Sequence, residues 1–72
     1  MQQWNLVTLR KKHKYTQPEI AEMLGISFAA YQNKETGRAQ FKADEMFAIA
    51  KIFDKPIEDI FLPSNYEKLV VV

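Results

Sequence analysis

The sequence predicts an all-α domain, with five short helices packed as one compact unit and a short C-terminal tail suited to an extended conformation. Three observations point there. Apolar residues recur at helical three-and-four spacing through most of the chain. Two segments open with side chains that cap helix N-termini, Thr16 and Ser27. The two glycines, Gly25 and Gly37, stand where helical stripes stop. With 72 residues the chain is large enough for one domain, which we place at 1–62, leaving 63–72 as the tail.

The first helix is read over 5–14, with Leu6 and Leu9 on one side, Asn5 as its cap, and Arg10-Lys11-Lys12 crowding the C-terminal end where they suit the macrodipole. The second begins at Thr16-Gln17-Pro18-Glu19. This is a capping box with Thr16 at the N-cap and Glu19 three residues later, and Pro18 lies in the first turn, where its missing N–H costs nothing. Ile20, Ala21 and Leu24 form its stripe, and Gly25 supplies the left-handed stop.

Ser27 caps a third helix that runs to about Glu35, and Gly37 ends it. Only Ile26 separates Gly25 from Ser27, so the second and third helices must turn sharply against each other. Ala21 is small enough for a close crossing there, and Tyr31 projects back into the core between them. That is helix-turn-helix geometry.

Phe41 anchors the following loop. The fourth helix starts with Asp44 and Glu45 in its first turn and carries Ala43, Met46, Phe47, Ala50 and Phe53 as its stripe, with Ile49 and Ile52 at the flanks. A last short helix brings Ile57, Ile60 and Phe61 onto the core. The tail ends in Leu69-Val70-Val71-Val72, a β-prone apolar run suited to strand pairing in a dimer or across a partner.

Composition narrows the function. With 47% hydrophobic and 26% charged residues the chain is foldable rather than disordered. It has no cysteine and one histidine, His13, so thiolate and imidazole metal sites are excluded. No apolar run reaches the roughly 20 residues that span a bilayer, and no secretory signal opens the chain. We expect a bacterial cytoplasmic protein without cofactor or metal. An enzyme is not expected either: Glu58 and Asp59 are sequence neighbours that point to different sides of a helix, His13 has no partner for general-base work, and no glycine-rich loop could cradle a nucleotide. The net charge of +1 conceals an asymmetry. Through Lys42 there are seven Lys/Arg against three acidic residues, +4, and from Ala43 onward three against six, −3. A basic half suits an anionic partner, though the excess is modest for gripping DNA unaided.

From Leu6 to Phe61 the chain resembles the Cro/CI-type (XRE-like) helix-turn-helix family of phage and bacterial regulators. The specific part is Thr16 through Ser27, followed by Tyr31, Glu35 and Gly37, with Arg10 after Leu9. In that family the arginine commonly pairs with the glutamate found here at Glu35. The stretch Tyr31-Gln32-Asn33-Lys34-Glu35-Thr36-Gly37, with Phe41 and Phe53-Asp54-Lys55-Pro56-Ile57, is similar to the subgroup carried by temperate phages of Gram-positive bacteria. The length is similar to the small switch protein opposite the CI repressor, including the antirepressor called a modulator of repression.

The resemblance implies that Phe28, Ala29, Gln32 and Asn33 face the partner. Gln32 and Asn33 could read adenine, and Phe28 or Ala29 could touch a thymine methyl. Ser27 begins this helix, and Gln17, Lys34, Arg38 and Lys42 would hold phosphates of double-stranded DNA. Two departures stand out. The family usually has an apolar residue where Lys34 stands, so either its stem covers the core with the charge in solvent or the third helix is less firmly seated. The reading face also lacks arginine and lysine, the side chains best suited to guanine, while Phe28 beside Ala29 makes an apolar patch fit for a protein. Two functions therefore stand side by side: an operator-binding regulator, acting as a Cro-like homodimer on paired half-sites about 34 Å apart, and an antirepressor whose partner is the CI-type repressor.

Overall fold

The computed structural model describes residues 3–61, and five helices account for the regular structure among them. They are α1 (Trp4–Lys12), α2 (Gln17–Leu24), α3 (Phe28–Glu35), α4 (Ala43–Phe53) and α5 (Ile57–Ile60). The tail from Leu62 onward, with the expected extended run and the 62/63 domain boundary, lies outside the described residues.

The α1 helix begins one residue earlier than its sequence suggests, and Asn5 is not its cap. The capping position is Gln3, whose side chain makes no capping bond. Asn5 instead donates from Nδ2 to the Asp59 carbonyl at 3.1 Å, tying α1 to α5. The Gln3 amide donates to the Glu35 carbonyl at 3.0 Å, which ties the start of α1 to the end of α3. A polar residue near a helix start reads as a cap from sequence alone. Here the Asp59 carbonyl, 54 residues away in the same chain, competes for it.

The helix-turn-helix follows its sequence signals closely. Glu19 N donates to Thr16 Oγ1 at 3.2 Å and Thr16 N donates to Glu19 Oε1 at 2.7 Å, which closes the capping box. Gly25 takes φ +72°. The Ile26 amide then reaches back to the Ala21 carbonyl at 3.0 Å, the six-to-one bond of a Schellman ending. Ser27 Oγ accepts from Ala30 N at 3.1 Å and starts α3 at once. At the far end Thr36 Oγ1 donates to the Gln32 carbonyl at 2.9 Å, and Gly37, at φ +89°, turns the chain away.

The core gathers Leu6, Ile20, Ala21, Tyr31, Phe41, Ile49, Phe53, Ile60 and Phe61. Phe41 anchors its loop edge-on between Tyr31 and Phe61, with ring centroids 6.0 and 5.2 Å away. His13 is exposed at the C-cap of α1, with its ring 5.2 Å from that of Phe53.

The buried face of α4 differs from the expected stripe. Ile49 is fully buried at its centre, with Glu45 and Phe53 buried one turn to either side, while Ala43 is exposed and Phe47 is 62% exposed. An apolar-stripe reading places every acid outside. Glu45 goes inside because a lysine meets it there, and the helix is rotated to match.

Candidate nucleic-acid and partner interface

The α2–α3 turn holds α3 against α2 by its inner side, where Tyr31 and Glu35 are buried. The outer side is left to solvent. Ala29, Gln32 and Asn33 are exposed, and Phe28 is 46% exposed despite its size. These four side chains share one side of one helix, so the chain presents them together. Arg38 and Lys42 are also exposed, on the segment that follows α3. Ser27 is exposed at the N-terminus of α3, with its oxygen engaged by the Ala30 amide.

Two expected phosphate contacts are occupied elsewhere. Gln17 is half-buried and donates from Nε2 to Glu35 Oε1 at 2.7 Å. Lys34 turns inward, neither snorkelling its charge into solvent nor leaving α3 loosely seated. Its Nζ donates to both carboxylate oxygens of Glu45, at 2.7 and 2.6 Å, with the two side chains only 12% and 10% exposed. This lysine is the one cation within α3, so the outer face carries amides and apolar groups and no free positive charge.

Behind that face lies a network built around Glu35. Arg10 Nε donates to Glu35 Oε2 at 2.9 Å and Arg10 Nη2 to Oε1 at 3.1 Å. The Tyr31 hydroxyl adds a 2.6 Å bond to Oε2, and Arg10 Nη1 donates to the Tyr15 carbonyl at 3.1 Å. Burial alone pushes the Glu35 carboxyl upward, but the bonds from Arg10, Tyr31 and Gln17 outweigh it and hold the group below the usual carboxylate range. Burial, reinforced by the carboxylate, raises the Tyr31 hydroxyl well above its ordinary value, so it remains a donor. The Arg10–Glu35 pairing was legible from family pattern. The completing roles of Tyr31 and Gln17 were not, since no spacing rule connects a helix-2 amide to the end of helix 3.

Sequence reasoning also missed Glu45. Besides Lys34, its Oε1 accepts the Lys42 amide at 2.8 Å. Burial pushes the carboxyl up, while Lys34 and the Lys42 amide pull it down, and the balance lies below the ordinary value. The available signal was the pairing of an out-of-pattern lysine at 34 with an acid in the next helix's first turn.

On the outer side of α2, Glu19, Glu22 and Met23 line a shallow open depression. Among the described residues no group of three His, Asp or Glu could hold a metal ion, and no helix is long and apolar enough to cross a membrane.

This architecture is that of a helix-turn-helix domain. Residues 6–60 match the helix-turn-helix family model, and the chain belongs to that family. It is also similar to a proposed HTH-type transcriptional regulatory protein of Pyrococcus furiosus, at 39% identity over 49 residues. The match spans 68% of this chain but 16% of that relative.

Proposed function

We propose that this chain regulates transcription at a phage genetic switch through its α2–α3 face, acting on operator DNA and/or on the CI-type repressor as an antirepressor or modulator of repression. The observation that carries this reading is the exposed set Phe28, Ala29, Gln32 and Asn33 on one side of a firmly seated α3. Gln32 and Asn33 have the paired donor and acceptor that adenine requires in the major groove. Arg38 and Lys42 are exposed beside them and are placed to meet phosphates, and Ser27 with the α3 N-terminus adds backbone donors.

The repressor arm has its own support. With Lys34 engaged by Glu45, α3 has no free cation to add to phosphate attraction. The outer side of α2 displays the acids Glu19 and Glu22 beside half-exposed Met23. Acids around apolar side chains suit a basic protein surface better than a phosphate backbone. In this reading residues 1–62 form the regulatory domain and 63–72 a tail that adds to pairing.

One titration tests both arms. The purified protein is added to the switch promoter region at fixed salt, with and without the neighbouring repressor. A change seen only when the repressor is present supports the antirepressor reading. A retarded complex with the protein alone, covering two half-sites, identifies a plain Cro-like homodimer instead. If neither the DNA nor the repressor is bound, the proposal fails.

A further inference from the structure

We infer that Glu45 is a partner-selection residue, which withholds Lys34 from nucleic acid by holding its ammonium between both carboxylate oxygens. The inference rests on the reading of the outer side of α3 as the contacting surface and says what keeps that surface uncharged.

The geometry is specific. Both Lys34 Nζ–Glu45 oxygen distances are at or below 2.7 Å, shorter than an ordinary neutral bond. The same carboxylate is also held from behind by the Lys42 amide at 2.8 Å. Among the described residues these are the side-chain hydrogen bonds that join α3 to α4. Asp44, the adjoining acid, is exposed and stands outside this cluster.

A lysine stem is long enough to carry its charge outward from the rim of α3 if nothing retains it. The segment that follows α3 already exposes Arg38 and Lys42. A released Lys34 would join them as a third cation beside the reading helix. Each added phosphate contact strengthens sequence-independent binding and steepens its salt dependence. Glu45 therefore suppresses generic polyanion binding and leaves recognition to Phe28, Ala29, Gln32 and Asn33.

A merely structural ion pair makes the opposite prediction, since breaking it would weaken the fold and every binding function with it. The test compares the full-length wild-type chain with Glu45→Gln, Asp44→Asn and the double variant Lys34→Met/Glu45→Gln, using a random-sequence DNA duplex as the probe. Asp44→Asn makes the same charge change without touching Lys34. Far-ultraviolet circular dichroism and melting identify any variant that has unfolded.

In Glu45→Gln we expect tighter duplex binding at low salt. Its affinity loss between about 50 and about 200 mM salt should exceed the wild-type loss by about threefold, the signature of one more phosphate contact. Asp44→Asn should keep the wild-type salt slope, and the double variant should return to it. Equal slopes in folded Glu45→Gln and wild type would overturn the inference, as would a slope that rises equally in Asp44→Asn. If Glu45→Gln unfolds, Glu45→Asp replaces it, since the shorter acid holds the ammonium less closely. A wild-type slope in that folded variant would count equally against the lock. Because the duplex carries no operator and no repressor is present, these outcomes are independent of whether the switch function holds.

Discussion

Arg10 on α1 and Glu35 at the end of α3 meet as a two-point fork, Nε to Oε2 at 2.9 Å and Nη2 to Oε1 at 3.1 Å, across 25 residues of sequence. Glu35 is only 2% exposed. The fork fixes the C-terminal end of the helix whose outer side makes the proposed contacts. The remaining bonds to the carboxylate, from Tyr31 and Gln17, leave no oxygen lone pair idle in the core.

Removing one partner of such a pair leaves an uncompensated buried charge, which costs about 3–5 kcal/mol. Total stability for a small domain is about 5–15 kcal/mol. Arg10→Met should therefore remove a large fraction of the total stability. Replacing both partners with apolar residues of similar volume, as in Arg10→Met/Glu35→Leu, should recover part of the loss. Urea denaturation of the wild type, the single variants Arg10→Met and Glu35→Leu, and the double variant measures this directly. A double variant as unstable as the sum of both single changes would show that the pair acts through something other than charge compensation.

Acid should unfold the protein through the same carboxylates. Glu35 and Glu45 both sit below the ordinary glutamate value of 4.5 in the folded state. A depressed folded value means that the unfolded chain binds protons first. Each group's contribution is therefore fully present above pH 4.5 and is lost as pH falls through the folded value. Each proton taken up on unfolding steepens the decline by about 1.4 kcal/mol per pH unit. Thermal melts between pH 7 and pH 3 should show a flat upper range and a fall beginning near pH 4.5. Glu45→Gln should have a shallower acid limb than wild type, and an unchanged limb would assign the acid sensitivity elsewhere.

Much of this fold was legible because its signals are local. A capping box needs four consecutive residues, the Gly25 stop needs one, and Ser27 announces α3 by itself. The parts that were not legible are those where two distant polar groups choose each other. Asn5 looks like a cap until the Asp59 carbonyl is near, and Lys34 looks like a surface charge until Glu45 is placed opposite. The face of α4 followed from that second choice: burying Glu45 brings Ile49 to the centre and leaves Phe47 outside. The candidate site divides in the same way. Phe28, Ala29, Gln32 and Asn33 are exposed, as the family resemblance implies, whereas Gln17 and Lys34 are drawn into polar contacts that no spacing encodes.

Two substitutions on the outer side of α3 should separate what each partner reads. Gln32 and Phe28 are both exposed, and surface changes of this kind usually alter stability by no more than about 0.5 kcal/mol. Any large effect therefore reports on contact. Gln32→Ala removes an amide that can pair with adenine, a loss worth about 1–3 kcal/mol on the cognate sequence. It should leave binding to scrambled DNA nearly unchanged. Phe28→Glu places a charge in the middle of the apolar patch and should abolish repressor binding while the helical circular dichroism signal stays intact. Calorimetric titration of repressor into each variant, beside gel shifts on operator and scrambled duplexes, gives the matrix. Equal weakening of Gln32→Ala on both duplexes would remove the adenine role. Survival of the repressor complex in Phe28→Glu would move the protein contact off α3.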